Sequence, residues 1–401
     1  MRLQPSAATP LKQSLVWRAL ANLLRKPVQK DLETMLVHRL GMKSGVAFSS
    51  LMRSTYAAVA AVQQRCAQGT TIILPRYSCP SFIHGIQAAG MPFRYCDTEA
   101  DTLSVRISDL QKADDGSVGA VLIPNLFGLS ADMPEILTFC ARRNWLLLEG
   151  ADYTLGGSFA GHPLGSFGHF SILNFQEGKA LPIGGGMALS KFPEAFEAYA
   201  SGPMASSWLA FARSLAYCIL IRPSFYGLFS TVIAKLGVAK KQFSMEDTIR
   251  HTTSEYDFSI NGTRLGERIS PYQANLGCLL MANLDENVRV RNKNAFTLEN
   301  ALTGISGIKL IARHPALDLS HYIRYPILVG NARRDALCHQ LIKLGFEASP
   351  MYVEHGMRVD KDEYPGAAKL CQELLTLPCH PFMRGADVIR MAAIIRNFLS
   401  S

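Results

Sequence analysis

The lysine at position 179 has the setting that best suits chemistry. It follows the apolar run Phe170–Phe175 and precedes Gly184-Gly185-Gly186, which open another apolar run at Met187–Leu189. A lysine held at a strand end, desolvated enough to lose its proton, can condense with an aldehyde to form a Schiff base. A surface-loop lysine beside a glycine hinge accounts for the same residues equally. Upstream, the apolar run Leu146-Leu147-Leu148 ends in a polar cluster at Glu149, Asp152 and Tyr153.

The elements that must position these groups alternate strand and helix. Tyr56–Cys66 is an alanine-rich helix with Ser54 and Thr55 just ahead of it, and Thr71–Leu74 a buried strand closed by Pro75. Ser81–Ala89 reads as a helix ended by Gly90, Phe93–Cys96 and Val118–Ile123 as strands, and Met133–Arg143 as a helix. This alternation with short turns predicts a mostly parallel sheet covered on both faces, whose sites gather at the strands' carboxyl ends. Ser54-Thr55, Tyr77-Ser78, Asn125, Glu149–Tyr153 and Lys179 all follow predicted strands or open helices, so they can converge. At a helix N-terminus, Ser54 and Thr55 could hold a phosphate through hydroxyls and backbone amides. N-capping accounts for them as well.

The rest of the chain sets bounds. Its 401 residues suggest two or three domains, and 48% hydrophobic with 18% charged residues is a globular composition. The net charge of +9 suits an anionic ligand or an acidic membrane surface, but the basic residues form no nucleic-acid motif. Nine cysteines without a C-x-x-C pair or zinc spacing read as buried thiols of a reducing cytoplasm, with no metal site. The N-terminus lacks a signal-peptide pattern. Residues 12–25 form an amphipathic helix ended by Pro27. Residues 203–243 are strongly apolar, yet none of their charge-free pieces, Ser214–Ile221 and Pro223–Ala234 among them, approaches the ~20 residues of a membrane span. Two helices hinged at Pro223 are expected there, covering a subunit interface or meeting a membrane or a lipid-linked substrate. Residues 268–296 look helical. Strands at Ile308–Ala312 and Tyr325–Val329 and helices at Ala332–Leu344 and Val388–Phe398 form a smaller α+β domain. His355 and His380 have no carboxylate neighbour in sequence, so structural roles are expected of them.

Over residues 45–401 the chain resembles the DegT/StrS family of sugar aminotransferases, fold-type I enzymes dependent on pyridoxal 5'-phosphate (PLP). The resemblance rests on Asn125–Met133 (NLFGLSADM, similar to H-x-Y-G-x-x-A-D-M) and on Gly165-Ser166-Phe167-Gly168, from which Lys179 falls at the family's Schiff-base position. Glu267–Asp285 looks like the family's interface helix, and Leu375–Pro381 like its C-terminal LSLPLHP.

That resemblance implies a large PLP-binding domain at 46–265 with a seven-stranded, mostly parallel α/β sheet. An N-terminal helical arm (1–45), an apolar helical insertion (203–243) and an interface helix with a small α+β domain (266–401) complete the expected organisation. It implies that Lys179 carries the cofactor and moves the proton, that Ser54, Thr55 and Asn174 hold its phosphate, and that Tyr77 or Cys79 lies against its ring. Arg268 is retained from the interface helix. The carboxylate that should pair with the ring nitrogen aligns with Gly150, leaving Asp152 first and Glu149 second as replacements, and Tyr153 stands where a glutamine is usual. The expected activity is transfer of an amino group, from glutamate, to a nucleotide-linked keto-sugar, in a cytoplasmic homodimer. Other amine chemistry on PLP, a lipid-linked substrate, or a catalytically degenerate binding scaffold are the alternatives.

Overall fold

The computed structural model describes residues 2–23, 29–228, 265–330, 332–352 and 359–400. His355 and residues 229–243 lie outside them. Before the first strand come helices α1 (Gln13–Asn22) and α2 (Gln29–Arg39). The strands β1 (Ser44–Phe48), β2 (Thr71–Pro75), β3 (Phe93–Cys96), β4 (Val118–Pro124) and β5 (Leu146–Gly150) follow. A small hairpin, β6 (Ser158–Phe159) and β7 (His162–Pro163), precedes β8 (Phe170–Asn174) and β9 (Gly186–Ser190). Seven of these form one sheet in the order β1-β9-β8-β5-β4-β2-β3. Neighbours from β8 to β3 are parallel, whereas β9 runs antiparallel to both β1 and β8. The buried runs of β2, β8 and β9 are what a sheet covered on both faces requires.

Helices α3 (Leu51–Gln63) and α4 (Pro80–Ala88) cover one face and share its core with Phe82, Leu148, Phe170 and Ile172. Helices α5 (Ile107–Ala113) and α6 (Met133–Arg143) lie in the core of the other face. Helix α7 (Ser207–Leu220) starts the apolar segment, and a further helical turn resumes at Pro223, the expected hinge. Helices α8 (Pro271–Met281) and α9 (Leu284–Leu302) divide the predicted 268–296 helix at Ala282–Asn283. A reciprocal Ser270–Gln273 capping box fixes the start of α8. The C-terminal part is an antiparallel sheet of β10 (Ile308–Leu310), β11 (Tyr325–Val329) and β12 (Leu374–Leu377), with α10 (Arg334–Lys343), α11 (Pro365–Glu373) and α12 (Gly385–Ser400).

Two differences from expectation bear on the site. Helix α3 starts at Leu51, not Tyr56, because Ser50 is its N-cap and accepts the Arg53 amide at 3.2 Å. Ser54 and Thr55 therefore sit inside the helix, not ahead of it. The first residues are also not free of the body: residues 3–9 are buried, and Gln4 bridges in parallel to Phe346 of the C-terminal part.

Candidate active site

Lys179 lies in the turn between β8 and β9, at the carboxyl end of β8. Its backbone is fixed by groups remote in sequence. Thr9 Oγ1 donates to the Lys179 carbonyl at 2.5 Å, and Arg291 Nη2 from α9 donates to the Gly178 carbonyl at 3.1 Å. Gly178 has φ +83°, and a Cβ there would press on Ala7 at 3.1 Å, so the close approach of the N-terminal segment requires glycine.

The lysine side chain is only 3% exposed. Its Nζ lies 3.6 Å from Asp152 Oδ2 and 3.0 Å from the centre of the Tyr153 ring. Asp152 and Tyr153 occupy the tight turn that follows β5. An ammonium over an aromatic face and beside a carboxylate is held by two attractions, and both compensate for burial.

Tyr153 belongs to a cluster of four aromatic rings. Tyr153 Oη is 3.2 Å from Tyr352 Oη, and Tyr77 Oη donates to the Met351 carbonyl at 2.8 Å. Phe127 packs on Tyr153 at 5.3 Å and on Tyr352 at 6.0 Å, while Tyr77 meets Tyr352 at 5.3 Å. Burial first, then neighbouring groups, pushes the Tyr77 and Tyr352 phenols well above their ordinary range, so both remain protonated donors. Cys79, half-buried, caps α4 close to the same box.

His321 is buried nearby. Burial, then the Arg291 charge and, more weakly, Lys179, lowers its pKa from 6.5 to about 3. The ring is therefore neutral, and its Nδ1–H donates to the Leu155 carbonyl at 2.6 Å.

The remaining residues singled out from the sequence have these partners within the chain. Glu149, fully buried, accepts from Asn125 Nδ2 at 3.0 Å and from the amides of Gly165, Phe167 and Gly168 at 2.6, 2.9 and 3.4 Å. It clamps the glycine loop, with both oxygens engaged, and so cannot replace the carboxylate missing at Gly150. Ser54 Oγ and Thr55 Oγ1 donate to the Ser50 and Leu51 carbonyls at 3.1 and 3.0 Å, turning inward along α3. Asn174 accepts the Gln176 amide at 2.9 Å, and Arg268 grips both oxygens of Glu33 at 2.9 and 3.0 Å. Gly150 has no room for a side chain: a Cβ would lie 2.9 Å from Pro124 Cα and 3.0 Å from the Phe82 ring.

The fold thus brings Lys179, Asp152, Tyr153 and Tyr77 together, with Cys79 at the margin. It adds Phe127, Tyr352, His321, Thr9 and Arg291, which sequence reasoning missed. Phe127 sits within the NLFGLSADM motif and so had a signal, but Tyr352 follows no strand pattern and had none.

A PLP group fits one end of this site directly. A buried amine beside a carboxylate suits an aldehyde and a ring nitrogen. At the other end, the Ser54 and Thr55 hydroxyls donate to carbonyls of their own helix. The first-turn amides of Leu51 and Met52, which no helical turn precedes, remain suited to a phosphate. They lie at the same rim, since Gly186 at the start of β9 approaches Leu51 Cα so closely that a Cβ would stand 3.2 Å away.

Residues 20–396 match the DegT/DnrJ/EryC1/StrS aminotransferase family. The chain belongs to this family. A curated relative is the "Putative pyridoxal phosphate-dependent aminotransferase EpsN" of Bacillus subtilis, 27% identical over 43% of this chain and 45% of that protein. The chain thus spans about half the length of this relative. GDP-perosamine synthase of Caulobacter vibrioides is 22% identical over 90% of this chain and 86% of that protein. Among solved structures, the aminotransferase TlmJ of Streptoalloteichus hindustanus superposes with a TM-score of 0.75 at 20% identity, covering 99% of both chains. The DegT fold is therefore shared almost end to end.

Proposed function

We propose that the chain is a PLP-dependent aminotransferase that transfers an amino group, from glutamate, to a nucleotide-linked keto-sugar in polysaccharide or secondary-metabolite assembly. Family membership supports this, as do the names of EpsN and GDP-perosamine synthase. The observation that carries it is the Lys179 amine, 3% exposed, held between Asp152 and the face of Tyr153.

When bound, PLP supplies an aldehyde for the amine and an electron sink for the carbon that loses its proton. The chain's own groups do the rest. Lys179 would hold the aldehyde and would carry the proton as base and then acid. Asp152 would be the acid to pair with the ring nitrogen, since Gly150 cannot. Tyr153, braced through Tyr352, sets one wall of the site. Tyr77 and Phe127 exclude water from it. The amides opening α3 receive the phosphate. Arg268, tied to Glu33, holds the start of α8.

The functional unit in this proposal is a homodimer in the cytoplasm, with peripheral membrane contact through 203–243. Purified protein given PLP is expected to turn yellow and to lose the colour to borohydride. It should then aminate a nucleotide-linked keto-sugar at the expense of glutamate. Lys179→Ala should abolish both the colour and the transfer. A colourless protein that gains no absorbance with PLP would instead mark a binding scaffold, and a yellow one inert towards keto-sugar nucleotides would mark another amine chemistry.

A further inference from the structure

One face of the molecule has a composition that its own core does not explain. Along α7, the residues turned away from the body are Trp208, Leu209, Ala212, Arg213, Ala216 and Ile219, a single helical stripe. Trp208 is 69% exposed and Leu209 53%, and the next helical turn adds Leu228 at 63%. Helix α1 packs beside α7 and continues the surface. Its Trp17, 54% exposed, meets Phe211 at 5.1 Å, and Phe211 meets Trp208 at 6.2 Å, so the rings form a ladder from one helix to the other.

Charge on these two segments has one sign. Residues 1–30 contain six basic and no acidic residues, and residues 198–245 contain five basic and no acidic residues. Arg18 on α1, and Arg213 and Arg222 on the α7 side, are exposed next to the apolar stripe. Indole rings, aliphatic side chains and arginines together, without a carboxylate, match the boundary between acyl chains and anionic headgroups. A second copy of the chain matches less well. A two-fold contact through this face would set its arginines against their own copies, and α1 and α7 themselves carry no acid to pair them. No helix among the described residues is long and apolar enough to cross a membrane, so the contact is peripheral.

We propose that α1 and α7 together form a docking face for an anionic lipid bilayer, with Trp17, Trp208 and Leu209 entering the headgroup boundary and Arg18, Arg213 and Arg222 pairing with lipid phosphates. This rests on the peripheral contact proposed above for 203–243 and adds to it the partner helix and the headgroup charge. The face lies outside the Lys179 site, so lipid binding and PLP binding can be lost separately.

The test is sedimentation of the full chain with vesicles of phosphatidylcholine alone, or of phosphatidylcholine mixed with phosphatidylglycerol, at low and high salt. Binding is expected on the mixed vesicles, weakening as salt rises. Arg213→Glu should weaken it by about five-fold or more. Trp208→Ser should weaken it too, with melting temperature and PLP colour unchanged in both variants. Equal, salt-insensitive binding to both vesicle types would overturn headgroup recognition while leaving a peripheral contact standing. No binding to either would overturn both. If light scattering then shows that Trp208→Ser dissociates an oligomer, the face is a self-interface.

Discussion

An ammonium and a carboxylate at 3.6 Å attract by about 4 kcal/mol at the effective dielectric of a protein interior. Both Lys179 and Asp152 have lost their hydration, so each needs the other. Asp152→Asn removes the carboxylate from beside the buried ammonium and is expected to destabilise the fold by ~3–5 kcal/mol, measured by denaturant unfolding. Unchanged stability would show that Asp152 is not the partner of the lysine. Gly150→Asp restores the carboxylate that the family resemblance calls for. Because a Cβ there would stand 2.9 Å from Pro124 Cα, this variant is expected to unfold more readily and to gain no activity. The lysine was legible in sequence because glycines and two apolar strands frame it. The family alignment already ranked Asp152 ahead of Glu149 as the nearby acid, but offered no reason why Glu149 is unavailable. Only the folded loop shows that three amides claim Glu149.

Among elements, the Glu149 clamp joins β5 to the loop before β8, whose carboxyl end leads into the lysine turn. Glu149→Gln sets an amide NH₂ against amide donors, so a loss of ~2–3 kcal/mol is expected in thermal or denaturant melts. Activity should fall further than stability alone explains, since the loop helps set the start of β8. An unchanged melt would show that the clamp does not bear on the fold. The long apolar strands β2, β4 and β5 were legible because apolar runs with breakers need little context. Strand β1 was not, because its five residues are fixed by pairing with β9 far along the chain. Helix α3 was placed late because its first turn, Leu51-Met52, shows no periodicity until Ser50 is seen capping it.

Across the whole molecule, the N-terminal segment ties the sheet to the C-terminal part. Thr9 and Arg291 fix the lysine turn, and His380 Nε2 meets the Pro5 carbonyl at 2.8 Å. His321 and His380 both fall from 6.5 to about 3, chiefly through burial. Their unfolded forms take up protons before their folded forms do. Stability is therefore full above pH 6.5 and declines as pH falls from 6.5 toward 3. His321→Gln should lower stability at neutral pH yet flatten that decline, as read by unfolding at a series of pH values. An equal slope in the variant would show that the buried ring does not carry the effect. No sequence pattern announced this strap, because its contacts link positions at opposite ends of the chain. The mostly parallel sheet followed from the alternation of strands and helices, and its seven strands from the family resemblance, whereas the strand order and the antiparallel β9 are set by pairings distant in sequence.

Borohydride reduction of the PLP-treated protein, followed by peptide mass mapping, bears most directly on the role of Lys179. The expected result is one pyridoxyl adduct, on the peptide that contains Lys179, absent from Lys179→Ala. An adduct on another lysine, or none in a folded protein, would contradict it.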